Sequence, residues 1–237
     1  MEIDGRIGKK EGTAMKKRNY VIATTVVCAL VMAFVDGVVQ PPYALKSFFK
    51  ILLFLCVPMG YFALFRAWDQ LKDLFILKKA ELLIALGLGI GAFVVITGGY
   101  MVVSRFFDLD AAIWQMTAEG GVSPENFLYV STYIALVNSL LEEFFFRGYA
   151  FLNLKSLTSR PFAYLFSAVL FAVYHLGMVS GNGNPLIWGG ALILLTAAGL
   201  ILNALNERSG SILTSWLLHM CANLAINTVG FYVFGML

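Results

Sequence analysis

The chain has 237 residues, of which 59% are hydrophobic and 13% charged, with a net charge of +3 and a mean hydropathy of +0.80. A water-soluble domain carries about 25% charged residues, so this composition excludes an ordinary soluble enzyme. It predicts an all-α fold, a polytopic transmembrane helical bundle of about 7–8 spans. Cys28, Cys56 and Cys221 each lie in an apolar run without paired spacing. They read as small buried hydrophobes, not as a disulfide framework or thiolate metal site.

In chain order, residues 1–19 read as a polar cytoplasmic tail. Residues 20–126 read as about three spans and a polar loop, and 127–237 as the helices that carry the chemistry. Lys16, Lys17 and Arg18 precede the first apolar run, which has no clear small-residue cleavage site and therefore reads as an uncleaved span over 20–39, stopped at Pro41 and Pro42. Asp36 near its end is expected to reach the interface. A second span covers 48–65 and a third 82–103, where Gly87, Gly89, Gly91, Gly98 and Gly99 suggest close helix approach. The stretch 104–126 is polar, and Ser123 to Asn126 could cap the helix that follows. The fourth span is 129–152, the fifth 161–178, followed by a loop over 180–185. The sixth is 186–205, and the seventh runs from 211 to the end, with a break expected near 227–230. With the N-terminus in the cytoplasm, thirteen Lys and Arg side chains fall on the cytoplasmic side, against Lys46, Lys50 and Arg105 on the other. That asymmetry supports the layout and the orientation.

The fourth span carries Glu142, Glu143 and Arg147 near its middle. Ionisable groups at membrane depth cost on the order of 2.5–3.5 kcal/mol each on insertion scales and mark functional sites by default. Glu143 and Arg147, four apart on one helix face, can form a self-neutralised brace. Glu142 points about 100° away, on the face of Asn138, Ser139, Phe145 and Phe146. His175 and His219, the chain's two histidines, both fall inside spans, with Asn223 one turn after His219. The rise of about 1.5 Å per residue puts these groups at similar depth. Several chemistries fit such a cluster. It could be a set of satisfied core residues. Glu142 with a histidine could activate water while the other histidine and Asn223 stabilise an oxyanion. Glu142, His175 and His219 could bind zinc, or the cluster could line a proton or ion path.

Three motifs stand in order on successive apolar segments: EExxxR at Glu142–Arg147, FxxxH at Phe171–His175 and HxxxN at His219–Asn223. Together they resemble the CPBP family of membrane proteins, which includes the type II CAAX prenyl endopeptidases and bacteriocin-processing or immunity-associated proteins. The resemblance covers about residues 135–225. It implies an intramembrane endopeptidase in which Glu142 and His175 activate water and His219 and Asn223 stabilise the oxyanion. Glu143, Arg147 and Phe171 are supporting residues. The family has also been read as a metalloprotease, so the alternative ligand set is Glu142, His175 and His219; the reading favoured is metal-free, with no cofactor. Burial disfavours a charged carboxylate, whereas a general base must be ionised, and a proton-sharing His175 is expected to meet that demand. The expected partners are membrane lipid and a membrane-associated peptide or protein substrate, with no nucleic acid. The alternative is a non-catalytic scaffold or bacteriocin-immunity protein, with a transporter as a third reading.

Overall fold

The computed structural model describes residues 2–179 and 185–237, and every regular element among them is helical. The helices are α1 (Glu2–Phe34, prolonged by a wide turn at Val35–Val39), α2 (Tyr43–Leu64), α3 (Trp68–Asp73) and α4 (Lys79–Val103). They continue with α5 (Leu109–Glu119), α6 (124–157), α7 (Arg160–Val179), α8 (Pro185–Ser209) and α9 (Ile212–Val233). Among the described residues, five segments are long and apolar enough to cross a membrane: Glu11–Val39, Tyr43–Leu64, Lys79–Val103, Trp188–Ser209 and Ile212–Val233. The all-α fold is as expected. The span count is five by this measure, and α6 and α7 are not among the five. The loop expected at 180–185 lies outside the described residues as far as 184.

Several local expectations change. The first helix begins at Glu2, so the polar N-terminal stretch is continuous with it. The polar stretch before Ser123 contains α5, and α9 runs unbroken past Asn227 and Gly230. The cap before α6 forms as expected, with the Ser123 backbone N–H donating to Asn126 Oδ1 at 2.9 Å. Cys28 is buried, but Cys56 is exposed and Cys221 half-buried.

The centre of the bundle is α6. Residues 141–151 are all buried, and a helix covered on every side belongs in the middle of its fold. Aromatic rings fill the space around it. Phe145 stacks on Phe54 of α2 with centroids 4.2 Å apart, and Phe146 meets Phe171 and Tyr174 of α7. Twice, at Ile134–Asn138 and Glu143–Phe151, α6 widens into π-type turns. Such turns are frequent at functional sites. Side chains of α9 pin the first of them: Trp216 Nε1 donates to the Leu136 carbonyl at 3.1 Å and Asn223 Nδ2 to that of Ile134 at 3.3 Å. One turn further along α9, Asn227 Nδ2 donates to the Ser131 carbonyl at 2.8 Å. At the opposite end of the bundle, Glu207 of α8 accepts from Arg160 at 2.7 Å and from Tyr164 at 2.6 Å, tying α7 to α8.

Of the α4 glycines, Gly89 alone marks a close approach: a Cβ there would sit 2.7 Å from Cys221 Sγ, whereas the other four meet nothing within 4 Å. A backbone-to-backbone crossing tighter than this lies between α1 and α7. A Cβ on Gly177 would collide with the Ala33 carbonyl oxygen and come within 3.1 Å of its Cα. Backbone cannot retreat as a side chain can, so Gly177→Ala is expected to destabilise the protein by about 2–3 kcal/mol. The unfolding midpoint in detergent measures it, with Gly91→Ala as the unaffected control.

Candidate active site

Glu142, His175, His219 and Asn223 come from α6, α7 and α9 and line one cavity of about 730 Å³. The sequence placed all four at similar depth, and the fold brings them to one wall. Glu142 and Glu143 are buried at 1% and 0% exposure, and Arg147 at 0%.

The two oxygens of Glu142 have different surroundings. Oε1 accepts from Asn138 Nδ2 at 2.8 Å, from Tyr174 Oη at 2.7 Å and from Lys50 Nζ at 3.1 Å. Oε2 is buried and has no hydrogen-bond partner among the described residues. It faces His175 Nε2 at 3.7 Å and His219 Nε2 at 3.8 Å. Both separations exceed a direct hydrogen bond.

Each histidine is held from behind. His175 Nδ1 lies 2.7 Å from the Phe171 carbonyl. A carbonyl only accepts, so the proton sits on Nδ1 and neutral His175 turns the Nε2 lone pair toward Glu142. His219 Nδ1 lies 2.9 Å from Glu143 Oε1. Glu143 also pairs with Arg147 Nη1 at 3.3 Å, so the expected brace exists, but the same carboxylate orients His219 as well. Among the described residues the Arg147 guanidinium makes no hydrogen bond, and it lies 4.0 Å over the Phe171 ring. Phe171 thus supports Arg147 with its ring and His175 with its carbonyl.

Two expectations about charge are corrected. The charge asymmetry puts Lys50 on the non-cytoplasmic surface, yet it is buried against Glu142, Asn138 and Tyr174. Asp36 was expected at the interface, yet it is 4% exposed and pairs with Lys46 at 3.1 Å. The groups on Glu142 Oε1 are Lys50, Tyr174 and Asn138, not His175. A lysine three residues inside an apolar run was the available sign for Lys50; Tyr174 carried none beyond being next to His175.

The alternative zinc set, Glu142, His175 and His219, does not fit. Ligand distances of about 2.0–2.2 Å in a tetrahedron bring donor atoms to roughly 3.3 Å from one another. Here the separations are 3.7 and 3.8 Å, and an ammonium already stands against the carboxylate. Among the described residues no group of three His, Cys, Asp or Glu side chains could hold a metal ion. The space between Oε2 and the two Nε2 atoms suits a hydrogen-bonded water better.

Residues 124–225 match the family described as type II CAAX prenyl endopeptidase Rce1-like. The matched segment holds all three motifs and bears out the family resemblance. With the five apolar helices, it makes the chain an integral membrane protein. No curated protein and no solved structure matches it.

Proposed function

We propose, for a chain that over residues 124–225 belongs to the type II CAAX prenyl endopeptidase-like family, that it hydrolyses a peptide bond of a membrane-associated peptide or protein. The observation that carries this reading is Glu142 Oε2, a buried and unpartnered carboxylate oxygen aimed at two imidazoles on a cavity wall.

A water between Oε2 and His175 Nε2 would donate one hydrogen to each, which leaves a lone pair for the substrate carbonyl carbon. As the oxygen–carbon bond forms, the water proton passes to Glu142 Oε2. The carbonyl oxygen becomes an oxyanion, to which Asn223 Nδ2 would donate, together with Nε2 of His219 as an imidazolium whose Nδ1–H is taken by Glu143. Glu143 on Nδ1 holds the His219 ring in the required orientation. The carbon–nitrogen bond then breaks, and the departing amine takes the proton from Glu142. The new carboxylic acid gives its remaining proton to His175 Nε2, from which it passes to solvent, so the products are a carboxylate and an amine. The apolar cavity suits a lipid-embedded or prenylated segment, the substrate class in the family's description. The N-terminus is assigned to the cytoplasm from the Lys and Arg asymmetry.

The test is to compare membrane peptides in cells carrying wild-type protein and Glu142→Gln. Uncleaved precursors should accumulate in the variant, while equal peptide populations would point to a binding or immunity role. Cleavage is also expected to persist after exhaustive chelation of the purified protein. A loss that zinc restores would overturn the metal-free mechanism.

A further inference from the structure

Lys50 has a task in this site that neither the three motifs nor the family match covers, since it lies in α2, outside residues 124–225. An ammonium has three protons. Those of Lys50 meet Asn138 Oδ1 at 2.6 Å, Glu142 Oε1 at 3.1 Å and Tyr174 Oη. Asn138 and Tyr174 pass the contact on, each donating to the same Glu142 Oε1. The four side chains form a closed network around one carboxylate oxygen. Three donors saturate Oε1, and none reaches Oε2 among the described residues. The carboxylate cannot rotate about its last bond without giving up all three contacts at once. The network therefore decides which oxygen faces His175 and His219.

We propose that Lys50 is a positioning residue for Glu142: it supplies the counter-charge for a buried carboxylate and, with Tyr174 and Asn138, locks Oε1 so that Oε2 is the oxygen presented to water. This rests on the reading of Glu142 as the base. It extends the site to α2, so the three catalytic helices are incomplete without it. It also explains how a carboxylate stays ionised in an apolar bundle, because breaking a buried pair leaves an uncompensated charge.

The test uses the full-length protein in detergent and a farnesylated CAAX peptide with fluorophore and quencher on either side of the bond after the prenylated cysteine. Lys50→Met is expected to lower kcat about 100-fold with KM within about threefold, since the substrate still binds while the base is misplaced. Lys50→Arg restores charge and donors, and should recover kcat to within about tenfold of wild type. Tyr174→Phe keeps the ammonium and removes one donor, for a loss of about tenfold. A second measurement needs no substrate. Lys50→Met should lower the unfolding midpoint by on the order of 10 °C, and adding Glu142→Gln should recover most of it, since the unpaired charge is then gone. Wild-type kcat in Lys50→Met, a loss confined to KM, or strictly additive midpoint shifts would overturn the proposal. Full cleavage by Glu142→Gln would instead overturn the proposed function and leave the charge coupling to stand on the midpoints alone.

Discussion

Glu142→Gln is expected to lower kcat by about 10³-fold while the protein still inserts and folds, with a midpoint lowered by no more than in Lys50→Met, because the Lys50 ammonium loses its counter-charge but keeps an acceptor. The two effects separate because the amide keeps the volume of the acid and an oxygen that can still accept from Lys50, Tyr174 and Asn138. The Oε1 side of the network is therefore largely retained. On the Oε2 side an amide nitrogen would face His175 and His219, and it cannot take a proton from water. The residual rate then comes from binding and from donors to the oxyanion. Kinetics on the purified variant, with its unfolding curve beside them, check both halves. Full activity would remove Glu142 from the chemistry, whereas an unfolded variant would make it a structural residue.

Glu143→Ala is expected to have the larger effect on stability, about 3–5 kcal/mol. Arg147 is 0% exposed and Glu143 is its one ion-pair partner among the described residues, at 3.3 Å. Removing that carboxylate strands a guanidinium with only the Phe171 ring against it. The same change takes the acceptor from His219 Nδ1, so activity falls for a second reason. The double variant Glu143→Ala/Arg147→Met separates the two. It should recover most of the stability, because no buried charge is left alone, and little of the activity, because His219 is still unheld. A Glu143→Ala protein as stable as wild type would show that Arg147 is solvated, and its loss of activity would then come from His219 alone.

The three motifs were legible because their spacings are those of a helix turn: His175 reaches back to Phe171 and His219 shares a face with Asn223. Their meeting at one depth followed from the lengths of apolar segments. Other features carried no such signal. Lys50 and Asp36 sit near the ends of apolar runs, where a charged side chain can equally reach the interface, and only tertiary packing turned them inward. No sequence rule announces the wide turns of α6, so the identity of the carbonyls that bind Trp216 and Asn223 could not be read. Asn227 and Gly230 looked like a helix break. In the fold Asn227 donates to the Ser131 carbonyl, and Gly230 leaves room for the Phe127 ring, which a Cβ would strike. The polar stretch around α5 has little apolar periodicity, so its helix was missed. The second task of Glu143 was hidden by the first, since the spacing to Arg147 already accounted for it.

The central claim, that Glu142 activates water and does not itself attack the peptide, is tested most directly by a single turnover in ¹⁸O-labelled water. Purified protein is mixed with limiting farnesylated peptide, and the products and the digested protein are weighed by mass spectrometry. The expected result is one ¹⁸O atom in the new carboxylate of the peptide and none in Glu142. Unlabelled product with ¹⁸O in the Glu142 side chain would mean a covalent anhydride on that carboxylate, and would contradict the account.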